Sequence, residues 1–369
     1  MRIVLSGGGT GGHIYPAVAV ARQMEAEEPG SAFLYIGGTR GLESKLVPQE
    51  NLPFEAIDIT GFRRKLSMEN VRTVMRFLRG VKESKKLLKE FKPDAVIGTG
   101  GYVCGPVVYA AAKLGIPCMI HEQNAIPGLT NKFLSRYADT VAVSFEGTES
   151  AFPSGKKVIY TGNPRATTVA AANPERGFAS LGIPSGSTVV LVVGGSRGAK
   201  AINEAMIDMA PLAGKGKGVH YVYVTGEPYY EETRKRLREK LGGLPNWLHV
   251  LPYVHNMPEV LAATSLIVNR AGASFLAEIT ALGIPSVLIP SPNVTNNHQE
   301  ANARQLEREG AASVILEREL TGQKLHEAVR AVIGDEAVRM RMSAAARRLG
   351  KRDAASLITE ELRALARRK

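Results

Sequence analysis

Four short glycine-rich turns carry most of the chemistry this chain can offer. Each follows an apolar run and precedes a helix-like stretch. They are Ser6-Gly7-Gly8-Gly9-Thr10-Gly11-Gly12-His13 after Arg2-Ile3-Val4-Leu5, Gly98-Thr99-Gly100-Gly101-Tyr102 after Ala95-Val96-Ile97, Gly194-Gly195-Ser196-Arg197-Gly198-Ala199 after Thr188 to Val193, and Asn269-Arg270-Ala271-Gly272-Ala273 after Leu266-Ile267-Val268. Glycine lets the backbone approach an anion closely, and a helix start adds unpaired N–H groups and the positive end of a dipole, so the pattern predicts a phosphate-bearing ligand. A single loop of this kind reads equally well as a tight turn; four in two copies say more. His13 closes the first loop, and imidazole titrates in the range a general base needs.

What the loops lack is also informative. The dinucleotide fingerprint can be matched at Gly7, Gly9 and Gly12, but Tyr35-Ile36-Gly37-Gly38 stands where an acidic residue should end the second strand, which counts against a dehydrogenase. There is no Walker lysine motif, and no two of the six aspartates are two residues apart, so an Asp-x-Asp metal clamp is missing. The charge of a diphosphate then falls to loops, helix ends and arginines, and no metal is expected.

These turns need strands and helices to hold them. Strand, glycine loop and helix run from residue 2 onward, with the helix expected to begin near Pro16, and the pattern restarts at residue 188 with a helix from about Lys200. Two similar α/β units with parallel sheets are the economical reading, with ligands beyond the carboxyl ends of the strands and an active site between the halves. The boundary falls near Gly162-Asn163-Pro164, after an expected strand Lys157 to Tyr160 and before the helix-prone Ala166 to Leu181. This gives domains 1–162 and 163–345, with a helical tail 346–369 packing back on the first.

The 369 residues, 44% hydrophobic and 22% charged, suit two globular domains and exclude a disordered or collagenous chain. The uncharged stretch Ala95 to Ala112 is broken by four glycines and Pro106, so it reads as strand, turn and helix and not as a membrane span. The first residues lack a secretory pattern, and Cys104 and Cys118 suggest neither a disulfide framework nor a metal site, so a reducing cytoplasm is expected.

Charge is uneven. Of the net +12, Arg63 to Lys92 carries +8 and Arg339 to Lys369 carries +7, which leaves −3 for the rest of the chain. In the first segment Val71, Val74, Met75, Leu78 and Val81 share one helical stripe, with Arg72, Arg76, Arg79 and Lys82 beside it. Two readings stay open: a core-facing stripe with a solvated basic back, or an amphipathic surface that docks on anionic lipid. No aromatic platform accompanies the charge, so nucleic acid is not expected.

Taken in order, Gly7 to His13, Gly100-Gly101-Tyr102 with Gly105-Pro106, His121-Glu122-Gln123-Asn124, Gly128-Leu129-Thr130-Asn131, Gly162-Asn163-Pro164-Arg165, Gly194-Gly195-Ser196, Gly272-Ala273 with Glu278, and Gln299 with Asn302-Ala303 span nearly the whole sequence. Together they resemble the MurG family, bacterial N-acetylglucosaminyltransferases that convert lipid I to lipid II in peptidoglycan synthesis. The resemblance implies a GT-B fold, two Rossmann-like domains facing each other across a cleft. The first would bind the lipid-linked acceptor and the second UDP-N-acetylglucosamine (UDP-GlcNAc), with neither cofactor nor metal. It implies inverting transfer of N-acetylglucosamine to the 4-hydroxyl of the MurNAc of undecaprenyl-pyrophosphoryl-MurNAc-pentapeptide. It also implies a peripheral place on the cytoplasmic face of the plasma membrane, reached through the basic helix, and a part in cell-wall biogenesis, cell shape and division.

Carried onto this sequence, Glu278 is expected to hold the ribose hydroxyls and Ser196 to cradle a phosphate. Arg165 is expected to reach the diphosphate, and Asn124, Gln299 and Asn302 the sugar. Val254 would contact uracil through its backbone, Ala273 belongs to the donor site, and Thr10, Gly11 and Gly12 would close over donor and acceptor diphosphate. His13 would take the proton of the acceptor hydroxyl, with His121 and Glu122 as competitors for that role. Tyr102, His121 and Asn131 stand on the acceptor side. Tyr102 and Asn131 also read as a turn tyrosine and a helix cap, and Asn302 as a solvated surface residue. Arg197 and Phe275 depart from the family pattern, and Phe275 removes a side-chain hydrogen bond to the donor from that position. The alternative is another GT-B nucleotide-sugar enzyme, a glycolipid glycosyltransferase or a UDP-GlcNAc epimerase.

Overall fold

The computed structural model describes residues 1–61, 68–214 and 218–367, with the side chains of 68–71 outside the description. The chain forms two compact units: Met1–Thr167 with Lys351–Lys369, and Thr168–Gly350.

Unit 1 runs β1 (Arg2–Ser6), α1 (Gly11–Glu27), β2 (Ala32–Gly38), α2 (Glu43–Gln49), β3 (Phe54–Ile57), α3 (Met68–Phe91), β4 (Ala95–Gly98), α4 (Cys104–Lys113), β5 (Cys118–Glu122), α5 (Leu129–Leu134), β6 (Thr140–Val143) and β7 (Lys157–Tyr160). The crossing to the second unit lies within α6 (Arg165–Ala170). Unit 2 continues with α7 (Pro174–Leu181), β8 (Thr188–Val193), α8 (Lys200–Ala213), β9 (Val219–Val224), α9 (Tyr230–Leu241), β10 (Leu248–Leu251), α10 (Met257–Ala262), β11 (Leu266–Asn269), α11 (Ala273–Leu282), β12 (Ser286–Leu288), α12 (His298–Arg308), β13 (Ala312–Val314), α13 (Gly322–Ile333) and α14 (Glu336–Leu349). The last helix, α15 (Ala354–Ala366), belongs to unit 1.

Both sheets are parallel, in the orders β3-β2-β1-β4-β5-β6-β7 and β10-β9-β8-β11-β12-β13. Strands such as Ile3-Val4-Leu5 and Val189 to Val192 are fully buried. That is the sequence signature of parallel strands covered on both faces, and it is why they read as continuous apolar runs. The order reverses between β1 and β4 and again between β8 and β11. Ser6 lies opposite Gly98, and Val193 opposite Asn269. The four glycine turns therefore leave the sheets in two side-by-side pairs, each at a switch point where doubly wound folds bind ligands.

Two helices differ from their sequence reading. α1 begins at Gly11, so Pro16 lies in its interior and not in its first turn. The tail is two helices broken at Gly350. α14 packs on α11 in unit 2, while α15 buries Ile358, Leu362 and Leu365 in the core beneath α1 and ties Arg363 to Glu28 at 2.6 Å. The stretch Ala166 to Leu181 is likewise two helices, separated where Asn173 caps α7 ahead of Pro174.

The apolar stripe of α3 divides. Val81 is buried, whereas Val74, Met75 and Leu78 are exposed, Leu78 by 62%; Val71 and the basic residues Arg63, Arg64 and Lys65 lie outside the description. The face turned to the core carries Thr73, Phe77, Gly80, Val81, Ser84 and Leu88, with Gly80 set against Pro106 of α4. Cys104 and Cys118 are free thiols, and burial pushes both up to about 12, which keeps them protonated and inert. Among the described residues no helix is long and apolar enough to cross a membrane.

Candidate active site

The first glycine turn is closed by hydrogen bonds on nearly every side. Gly8 N–H donates to Gly100 O at 3.2 Å, the Tyr35 hydroxyl donates to Gly7 O at 2.7 Å, and Gly9 N–H donates to Oε2 of Glu43 at 2.9 Å. Thr99 of the neighbouring turn donates its hydroxyl to His13 O at 2.6 Å. Gly101 has φ +80, and a Cβ there would lie 2.3 Å from Gly8 O, so only glycine lets the two turns interlock. What remains for a ligand are the amides at the start of α1. Among the described residues no acceptor is seen for Thr10 or Gly11 N–H, and no side chain caps them.

This turn fixes the state of His13. Its Nδ1 lies 2.9 Å from Gly8 O and 3.4 Å from the Thr10 hydroxyl. A carbonyl can only accept, so Nδ1 carries the proton and Nε2 the lone pair, the arrangement a general base requires. The Cδ2–Nε2 edge of the ring lies against Gly100, where a Cβ would stand 2.9 Å from Cδ2, and Tyr102 lies against Gly9 from the same turn. Burial, with the charge of Glu43 adding to it, pushes the Tyr102 phenol up. Arg165 joins this group, its guanidinium 5.3 Å over the ring of Tyr15, which in turn lies against Gly11.

His121 and Glu122 have other work. His121 is fully buried; its Nε2 donates to Gly162 O at 2.9 Å and its Nδ1 accepts from Gln123 at 3.0 Å. Burial lowers its pKa to about 4. Glu122, also buried, accepts from Asn124 N–H and Nδ2, from Gly128 N–H and from Asn131 Nδ2 at 2.8–3.2 Å. These two residues shape the loop that presents Asn124. Asn131 is buried inside α5 and bonds to this network; the cap of that helix is Gly128.

In unit 2 the predicted residues come from the carboxyl ends of β8, β10 and β11 and from α12, beyond β12. Ser196 and Arg197 are exposed at the tip of the turn before α8. Gly272 precedes α11 with open space over it, and neither α8 nor α11 has a side-chain cap, so both helix starts can face an anion. Ala273 opens α11, and Glu278 lies five residues on, 4% exposed. Val254 is buried between exposed Tyr253 and His255. Asn302 is fully buried and donates to Ala271 O at 3.2 Å, so it is not a surface residue; it braces the Gly272 turn. Gln299 accepts from Ser291 N–H at 2.9 Å. Just before it, Asn296 and Asn297 have φ of 54 and 50, a left-handed kink that asparagine tolerates and that sets the direction of α12.

Sequence reasoning missed Glu43, Thr99, Tyr35 and Tyr15, all of which hold the first turn. The only signal was Gly37-Gly38 followed by a lone acid five residues later, in place of the carboxylate sought at the strand end.

Two switch-point pairs of glycine turns, a histidine held by its Nδ1 in one unit and a buried carboxylate on the open-ended helix α11 in the other are the arrangement expected of a nucleotide-sugar transferase, the class to which the comparisons assign the chain. Residues 3–143 match the glycosyltransferase family 28 N-terminal domain and residues 189–358 the glycosyltransferase family 28 C-terminal domain. The chain belongs to glycosyltransferase family 28 and, within it, to the MurG family. It is 54% identical, over 99% of both chains, to the UDP-N-acetylglucosamine--N-acetylmuramyl-(pentapeptide) pyrophosphoryl-undecaprenol N-acetylglucosamine transferase of Bacillus subtilis. To the enzyme of the same name from Listeria monocytogenes it is 52% identical over 98% of both. The crystal structure of Acinetobacter baumannii MurG superposes with a TM-score of 0.78 at 30% identity, covering 98% of this chain and 99% of that one. A UDP-GlcNAc 2-epimerase from Neisseria meningitidis bound to UDP-GlcNAc, 16% identical with a TM-score of 0.70 over 99% of this chain and 100% of that one, shares the fold alone.

Proposed function

We propose that this protein transfers N-acetylglucosamine from UDP-GlcNAc to the 4-hydroxyl of the MurNAc of undecaprenyl-pyrophosphoryl-MurNAc-pentapeptide, converting lipid I to lipid II for the cell wall. The observation that carries this is kinship over the whole length: more than half of the residues are identical to transferases named for that reaction. The epimerase alternative rests on the fold alone.

Unit 1 takes the acceptor and unit 2 the donor. His13 Nε2 accepts the proton as the hydroxyl oxygen attacks the anomeric carbon, the bond from that carbon to the UDP oxygen breaks, and the configuration inverts. A positioned base of this kind contributes about 10²–10⁴ in rate. The charge on departing UDP is met by Arg165, by the Ser196 turn and by the amides at the start of α11, groups in place before charge develops. Glu278 accepts from the ribose hydroxyls. Thr10 to Gly12, Asn124, Gln299, Val254 and Ala273 complete the donor site, with Asn302 bracing it, and Tyr102 the acceptor side, with buried Asn131 and His121 bracing that. No metal enters these steps.

The protein attaches to the cytoplasmic face of the membrane, where a nucleotide sugar and a lipid-linked acceptor can both be reached. Exposed Val74, Met75 and Leu78 on α3, together with Leu129, 73% exposed, and Phe133 on α5, supply the apolar part of the surface. Arg72, Arg79, Lys82 and Lys132, all exposed, supply the charge that meets anionic headgroups.

Incubation with radiolabelled UDP-GlcNAc and a soluble lipid I analogue, in the presence of chelator, should incorporate label into the acceptor and release UDP. Release of free 2-epimerised sugar without incorporation would replace this reading by the epimerase.

A further inference from the structure

Glu43 is a fully buried carboxylate that no step above uses. It stands at the start of α2, and each of its oxygens accepts one backbone N–H: Oε1 from Gly38 at 3.0 Å and Oε2 from Gly9 at 2.9 Å. The Gly9 N–H and the Gly8 carbonyl are the two ends of one peptide group. On its far side that carbonyl accepts the Nδ1–H of His13 at 2.9 Å. A continuous chain results: carboxylate, peptide, imidazole. The fit is tight, since a Cβ on Gly8 would lie 2.5 Å from the Glu43 carboxylate, so no bulkier residue at 8 could keep this contact.

We propose that Glu43 is a positioning residue for the transfer, acting through the Gly8–Gly9 peptide to hold the tautomer and raise the basicity of His13. A carboxylate that accepts a peptide N–H polarises the group and makes its carbonyl a better acceptor. The stronger acceptor keeps the proton on Nδ1 and leaves the lone pair on Nε2, and the nearby negative charge favours the imidazolium formed as Nε2 takes the acceptor proton. Hydrogen-bonded carboxylates orient histidines directly in many sites; here a single peptide lies between them. Tyr35 from β2 and Tyr102 from the β4–α4 turn are the other titratable groups that feel this charge, and both are held up chiefly by burial. The same contact occupies the Gly9 amide, so the first turn has one fewer N–H to give a phosphate than its sequence promises.

The inference rests on His13 being the base, and its test separates the two. Turnover of His13→Ala, Glu43→Gln and the unchanged enzyme is followed against pH with UDP-GlcNAc and a lipid I analogue. His13→Ala should lose at least about a hundredfold in kcat. Glu43→Gln should lose about tenfold in kcat, with KM for UDP-GlcNAc unchanged, and the acid limb of its pH profile should move down by about one unit. Loss in the first variant with a normal acid limb and kcat in the second would overturn the role of Glu43 and leave the base intact; no loss in the first removes the base itself. Imidazole 15N spectra of the unchanged protein decide the matter even where Glu43→Gln does not fold. At pH 8 His13 should carry its proton on Nδ1, and a proton on Nε2 sinks the proposal.

Discussion

His13 donates from Nδ1 to a loop carbonyl and keeps its lone pair on Nε2, while His121 donates from Nε2 to Gly162 O and accepts at Nδ1. The same side chain is the proposed reagent in one place and a brace in the other, and the two places differ in burial. For His121, desolvation lowers the pKa to about 4 from the usual 6.5. The unfolded chain therefore binds a proton at this residue as pH falls through 6.5, while the folded chain does not do so until near 4. Stability conferred by the neutral buried form is present above pH 6.5 and is lost on acidification, by up to about 3 kcal/mol. Urea midpoints measured at pH 7.5 and 5 should fall more steeply for the unchanged protein than for His121→Asn; equal slopes would show that His121 is not the titrating group. The candidacy of His13 was legible in the glycine loop that it closes; the bracing role of His121 was not, because that residue simply follows an apolar run.

At the level of elements, α3 shows what periodicity leaves undecided. Positions 71, 74, 75, 78 and 81 mark one apolar stripe, yet the covered face is centred on Thr73, Phe77, Gly80 and Ser84. Small and polar residues there let α3 come close to α4, with Gly80 against Pro106, and hydropathy does not flag such residues. The displaced apolar residues are left in solvent beside arginines. Each buries about 1.5–3 kcal/mol of apolar side chain if it enters lipid. The triple variant Val74→Ser, Met75→Ser, Leu78→Ser should bind phosphatidylglycerol vesicles at least tenfold more weakly in a sedimentation assay. UDP binding should be unchanged; undiminished vesicle binding would move the membrane contact elsewhere. α1 teaches a similar lesson. Pro16 reads as a helix start, but the helix begins five residues earlier at Gly11, after Thr10 with its extended backbone, and Pro16 lies past the first turn.

For the molecule as a whole, the two units are similar in topology, and the proposed function gives the donor to unit 2 and the acceptor to unit 1. Nucleotide binding should therefore protect mainly one unit. A ligand at a hundred times its Kd stabilises its host by about 2.7 kcal/mol. With UDP at that level, amide hydrogen exchange should slow chiefly in 168–350, and in 1–167 only around Arg165 and the Thr10–Gly12 turn. Glu278→Ala should lose most of that protection at the same UDP concentration. Protection spread evenly over the described residues, or confined to unit 1, would contradict a donor site in unit 2.

The sequence alone determined the strands, because fully buried parallel strands must be apolar throughout, and it determined the turns, because glycine alone suits left-handed positions such as Gly9, Gly101 and Gly195. The restart at residue 188 follows from both, as does the family, whose motifs sit in those turns. Tertiary structure decided what each polar side chain faces. Glu43 meets Gly9 from 34 positions further along the chain, and Asn302 reaches back 31 residues to Ala271. Such pairings leave no local period or spacing in the sequence, because it is the sheet order and not the chain that brings their ends together.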